Sequence, residues 1–184
     1  MTFKDHVLRW IDCKRCPLCE TRDRVVLARG RVPCDVLFCG EAAGESENVL
    51  GAPFVGPAGH LLDDIIQRSA PDNKRIAMTN LVACIPRDDD GGKATEPDDE
   101  SIEACRPRLE EFIALAKPRL VVAVGMLARD WLTQGYKYSI RLPQPAPPLI
   151  EIVHPAAILR ANSAQQSLMV RKCVVTLTNA FAKL

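Results

Sequence analysis

The chain has 184 residues, 47% of them hydrophobic, and carries 24 Lys and Arg against 23 Asp and Glu for a net charge of +1. That length buries one core and reads as a single domain over residues 1–184, while the near balance of charge excludes a protein that holds nucleic acid by bulk positive potential. The longest apolar runs, such as Leu120 to Val124, fall far short of the roughly 20 residues of a membrane span, and the opening Met1 to His6 lacks the pattern of a secretion signal. A soluble, cytoplasmic protein is expected.

In chain order, Cys13-Lys14-Arg15-Cys16 comes first, with Cys84 and Cys105 much further on. Eight cysteines admit a disulfide framework, but Cys-x-x-Cys in an intracellular chain of this size points rather to a metal or redox centre. Four apolar runs follow: Asp35 to Cys39 ending in Gly40, Ile76 to Val82, Leu120 to Val124 and Leu149 to Val153. These predict buried strands. Helices are predicted at Gly59 to Ala70, at Asp98 to Ala116 and at Gly125 to Gln134. The alternation predicts an α/β fold, a central four-stranded parallel sheet flanked by helices, with sites at the carboxyl ends of the strands.

Arg87 to Pro97, with its acidic and glycine-rich middle, predicts a solvated loop, and Pro143 to Pro148 an extended connector into the last strand. Charge is uneven. Residues 1–34 hold eight basic and four acidic side chains and residues 120–184 seven and two, whereas residues 35–66 hold six acids and no Lys or Arg. Phosphate contacts are therefore expected from the two ends of the chain. His6 and His60 read as solvent-facing or helix-start residues, and Cys39 as a small buried hydrophobe.

The motif order is distinctive: Cys-x-x-Cys, Gly40-Glu41-Ala42-Ala43-Gly44-Glu45-Ser46-Glu47, Pro53-Phe54-Val55-Gly56, Thr79-Asn80 with Cys84, Cys105-Arg106-Pro107, and His154-Pro155 leading to Ile158-Leu159-Arg160. Together, from about Cys13 to Arg160, these resemble the iron-sulfur (family 4) uracil-DNA glycosylases. The resemblance implies hydrolysis of the N-glycosidic bond of uracil in DNA, releasing free uracil and leaving an abasic site for base-excision repair. It implies a three-layer fold of that superfamily, a monomer, and uracil-containing DNA as partner.

By the same resemblance, Glu41 and His154 are the catalytic residues, and Gly40, Ala42, Gly44, Glu47, Phe54 and Asn80 bind the substrate. Phe54 offers an aromatic face to the extruded base, Asn80 pairs with the uracil edge, His154 donates to O2 as negative charge builds, and Glu47 crowds the pocket against thymine's methyl. Ile158, Leu159 and Arg160 resemble the segment that enters the duplex. Cys13, Cys16, Cys84 and Cys105 match the ligands of a [4Fe-4S] cluster, a set that structural zinc would also accept. Cys19 lies close enough to Cys16 to compete as a ligand.

Ala42 stands where the better-known uracil glycosylases carry an aspartate base. The chain departs from the family at two points: Ala43 replaces a proline, and the 20 residues between Cys84 and Cys105 contain an acidic insertion without histidine. These keep open a weak or inactive relative that binds uracil-DNA. They also fit turnover rather than covalent capture of the sugar.

Overall fold

The computed structural model describes residues 2–71, 73–88, 92–133 and 140–184. Apolar segments five residues long, stopped by a glycine or polar residue, form the central strands β2 (Val36–Gly40), β3 (Ile76–Asn80) and β4 (Leu120–Val124), joined by β5 (Leu149–Ile152). β2 pairs parallel with both β3 and β4, and β4 pairs parallel with β5. A two-residue strand, β1 (Arg29–Gly30), adds antiparallel to β3, so the sheet has five strands in the order β1-β3-β2-β4-β5. The four predicted strands are thus present, and β1 is an addition that sequence periodicity did not reveal.

Both faces of the sheet are covered, as a parallel sheet requires. Along β2, Leu37 and Cys39 enter a core built with α1 (Phe3–Trp10), α4 (Asp99–Ala116) and α5 (Met126–Leu132), through Trp10, Phe112 and Leu132 among others. Val36 and Phe38 enter the opposite core with α3 (Pro57–Gln67), α6 (Pro155–Arg160) and α7 (Ser163–Phe181), through Leu62, Ile158 and Leu177. A short helix α2 (Glu45–Leu50) follows the glycine-rich loop and ends at Gly51 in the left-handed region.

The predicted helices are found with adjusted ends. Asp98 caps α4, its side chain accepting from the Ser101 backbone N–H at 2.7 Å. Pro57 starts α3, where its missing N–H costs nothing. Gly125 precedes α5 as its N-cap, and Gln134, the predicted end of that helix, lies outside the described residues. Residues 143–148 are irregular, as expected of a connector.

The expectation for His6 is corrected. The ring is wholly buried, and Nδ1 lies 2.8 Å from Glu111 Oε1 on α4, a partner 105 positions away that no local pattern could indicate. His60 is exposed and Cys39 is buried, as expected. Asp89 to Gly91 of the predicted solvated loop lie outside the described residues. Its flanks are less free than predicted: Arg87 bridges to Ala94 and bonds both oxygens of Glu45 at 2.8 Å.

Candidate active site

The segments that follow β2, β3, β4 and β5 open on one edge of the sheet and line a cavity of about 930 Å³. Glu41, Ala42, Gly44, Glu47, Phe54, Asn80, His154 and Arg160 all face it. Gly40 is not in the wall but beneath it. A β-carbon there would stand 2.5 Å from Asn80 Oδ1 and 2.6 Å from Phe54 Cζ, so only glycine allows the amide and the phenyl ring to meet.

Phe54 has φ 57°, a left-handed conformation unfavourable for a residue with a bulky side chain. Its surroundings enforce it. Gly59 at the start of α3 approaches so closely that a β-carbon would fall 1.9 Å from Phe54 O. Arg29 on β1 donates to that carbonyl at 3.1 Å while pairing with Asp63 at 2.7 Å. Phe54 and Asn80 are both almost fully buried, yet both reach the cavity.

Glu47 is engaged by backbone. Its Oε1 accepts from Val55 and Gly56 N–H at 2.8 and 2.7 Å, and its Oε2 from Gly44 N–H at 3.1 Å. The carboxylate thereby ties the glycine-rich loop to the turn carrying Phe54.

His154 is the N-cap of α6. Its Nδ1 accepts from the backbone N–H of Ala156 at 3.2 Å, so the neutral ring carries its proton on Nε2. Burial, with the Arg160 guanidinium adding to it, brings the imidazole pKa down to about 4. The ring is neutral at pH 7 and can donate one hydrogen bond into the cavity. Glu41 is raised above the ordinary carboxyl range, first by burial, then by Glu96, with Arg160 opposing. Gly125, at φ +98°, lies where these two residues meet: a β-carbon there would be 2.8 Å from Glu41 Oε1 and 3.2 Å from His154 Cβ.

Of the three residues expected to enter a duplex, Ile158 is corrected. It is 1% exposed and packs in the core beneath α6, because the helix turns that side chain toward α3 and α7. Leu159, 44% exposed, is the apolar side chain free at the surface, and Arg160 borders the cavity.

Cys13, Cys16, Cys84 and Cys105 line a second, smaller cavity beside the core that α1 and α4 form on the sheet, together with Arg22 and Arg108. Arg22 donates to Cys84 Sγ and the Ala83 backbone N–H to Cys105 Sγ, each at 3.4 Å. Cys19, in the 3₁₀ turn Pro17–Cys19, is not in that wall. All eight cysteines are free thiols. Among the described residues no three His, Cys, Asp or Glu side chains converge as ligands of one metal ion.

Sequence reasoning missed several residues here. Gly125 follows an apolar strand directly and was legible from that position. Ala94 to Pro97, assigned to solvent, form part of the active-site wall. Arg29 and Arg108 carry no local signal, since their partners lie in distant elements.

Residues 28–178 match the family described as the uracil DNA glycosylase superfamily. A type-4 uracil-DNA glycosylase of Pyrobaculum aerophilum is 33% identical over 162 residues, 81% of this chain and 80% of that protein. One from Thermotoga maritima is 32% identical over 158 residues, 82% of this chain and 80% of that protein. The crystal structure of wild-type Pedobacter heparinus SMUG2 superposes with a TM-score of 0.59 at 13% identity, covering 98% of each chain, a likeness of fold. With the shared fold, the cavity at the strand ends and these relatives together, the chain belongs to the uracil DNA glycosylase superfamily, among the type-4 uracil-DNA glycosylases.

Proposed function

We propose that this chain hydrolyses the bond between deoxyribose and N1 of uracil in DNA, leaving an abasic site that base-excision repair then processes. The observation that carries the proposal is the hydrogen bond from Ala156 N–H to His154 Nδ1, which leaves Nε2 as the ring's donor, in a cavity shared with Asn80 and Phe54. The flipped base stacks on Phe54, and the Asn80 amide offers an acceptor to N3–H and a donor to O4. Cytosine presents the reverse pattern at that edge and leaves buried polar groups unpaired.

As the bond lengthens, the base gains negative charge and the sugar positive charge. His154 Nε2–H donates to O2, a hydrogen bond that strengthens only in the transition state. Glu41, once ionised, offsets the sugar's charge and orients water on its face. Ala42 contributes no base, so water attack relies on position more than on proton abstraction. Glu47 holds the loop, Ala42 and Gly44 give the base close backbone walls, Gly40 leaves room beneath for Asn80 and Phe54 to meet, and Leu159 with Arg160 meets the strand being opened.

The four cysteines Cys13, Cys16, Cys84 and Cys105 are the ligands of a [4Fe-4S] cluster in this reading. Four thiols around one cavity, two of them receiving N–H hydrogen bonds, fit such a group. Cys13 and Cys16 of the N-terminal segment, Cys84 beyond β3 and Cys105 on α4 would hold such a group together, and it would join those three parts of the fold. Zinc is the alternative for the same thiols. All of these residues come from one chain, which acts as a monomer. No helix among the described residues is long and apolar enough to cross a membrane.

Incubation with a uracil-bearing oligonucleotide, followed by alkaline cleavage, tests the function. Strand scission at the uracil with release of free base is expected. Binding without scission would favour the second reading, a relative that recognises uracil-DNA without cleaving it, which Ala43 and the acidic stretch between Cys84 and Cys105 motivate.

A further inference from the structure

Among the described residues Arg108, on α4, is the largest of the fully buried side chains, at 1% exposure. Its Nη1 donates to Thr79 Oγ1 at 2.8 Å, and its Nη2 donates to the backbone carbonyls of Asn80 at 2.6 Å and Leu81 at 2.8 Å. Thr79 in turn donates to Leu27 O at 2.7 Å. The guanidinium therefore grips the carboxyl end of β3, the residue pair from which the Asn80 side chain projects into the active-site cavity.

Among the described residues no carboxylate pairs with Arg108, and its Nε–H has no hydrogen-bond partner. A guanidinium buried without an anion is costly, so its retention calls for a negative group nearby. The same side chain forms part of the wall of the cysteine cavity, and Cys105 lies three residues before it, on one face of the helix. A thiolate-ligated metal centre, negative overall, supplies such an anion.

We propose that Arg108 is a positioning residue that couples the cysteine-bound centre to uracil recognition: beside Arg22, it is the buried cation of the cysteine cavity, and it is the clamp that aims the Asn80 amide. The inference rests on the uracil reading and on a metal centre in the cysteine cavity. With the anion in place the fork is held against β3. Without either charge the clamp loosens, and displacement of Asn80 by about 1 Å can cost on the order of 10²-fold in rate.

The test compares wild type with Arg108→Lys and Arg108→Met, purified without oxygen, by metal and sulfide per chain, inhibition by free uracil, and affinity for duplex containing an abasic site. Arg108→Lys keeps the cation and loses the planar fork. It should retain wild-type metal content, weaken uracil inhibition by about tenfold or more, and leave abasic-DNA affinity within about twofold. Arg108→Met should lose metal as well. A merely structural arginine would lower all readouts together in both variants and would not separate uracil from abasic DNA.

Wild-type uracil inhibition in Arg108→Lys overturns the proposal, as does full metal content in a folded Arg108→Met. If Arg108→Met yields no soluble protein, Arg108→Lys decides alone. Failure of the underlying readings would show in the wild type itself, as absence of uracil release or absence of bound metal, and would take the proposal with it.

Discussion

The Nδ1 atom of His154 and the backbone N–H of Ala156, 3.2 Å apart, form the bond that decides which proton this active site has to offer. With Nδ1 accepting, the neutral ring donates through Nε2 only. A pKa near 4 keeps it in that state across the physiological range. Histidine nitrogen NMR should therefore show a neutral ring protonated at Nε2 from pH 8 down to about 5, with no titration near 6.5.

The same shift has a sign for stability. His154 is lowered from its ordinary 6.5 to about 4 by folding, so between those values the unfolded chain binds a proton that the folded one does not. Its contribution is complete above pH 6.5 and is lost as pH falls toward 4. Unfolding midpoints should fall over that window, and His154→Asn should flatten the dependence. The acid limb of uracil release should instead follow Glu41, whose carboxyl is raised by burial, and should disappear in the residual activity of Glu41→Gln.

Gly125→Ala should damage the site without removing a reacting group. Its β-carbon would enter at 2.8 Å from Glu41 Oε1 and 3.2 Å from His154 Cβ, at a backbone φ of +98° that alanine resists. The expected cost is about 1–3 kcal/mol in stability and on the order of 10²-fold in kcat, measured by denaturant unfolding and single-turnover release.

Gly40→Ala should act on recognition. A methyl there meets both Asn80 and Phe54 below 2.7 Å and fills the space where amide and ring converge. Free-uracil inhibition should weaken by more than about tenfold while affinity for an abasic-site duplex changes little.

Among the cysteines, Cys84→Ser should lower bound iron to a small fraction of wild type, whereas Cys19→Ser should leave it unchanged, because Cys19 lies outside the cavity wall formed by the other four. Iron and sulfide assays on protein prepared without oxygen check both, and bound zinc in place of iron would identify the alternative metal.

Much of this architecture was legible in the chain. Runs such as Leu120 to Val124 are short, wholly apolar and ended by glycine, which leaves few options besides buried parallel strands, and the residues just beyond their ends line the cavity. What was not legible depended on distance. β1 is two residues long and exists through its pairing with Ala77 and Met78. The polar start of α7, Ser163-Ala164-Gln165-Gln166, hides a helix whose buried side begins lower, at Cys173. His6, Arg29 and Arg108 read as ordinary polar side chains until the fold brings Glu111, Phe54 and Asn80 to them. Ile158 shows the opposite limit: a motif assigns it to the duplex, while helix geometry turns it into the core.

The most direct test of the central claim compares uracil with 5-fluorouracil as leaving base, in single-turnover release by wild type and His154→Ala. If Nε2–H steadies the departing anion, loss of the ring should cost about 10²–10³-fold with uracil and distinctly less with the more acidic fluorinated base. An equal loss with both bases, or a loss accounted for by weaker DNA binding, would contradict that role.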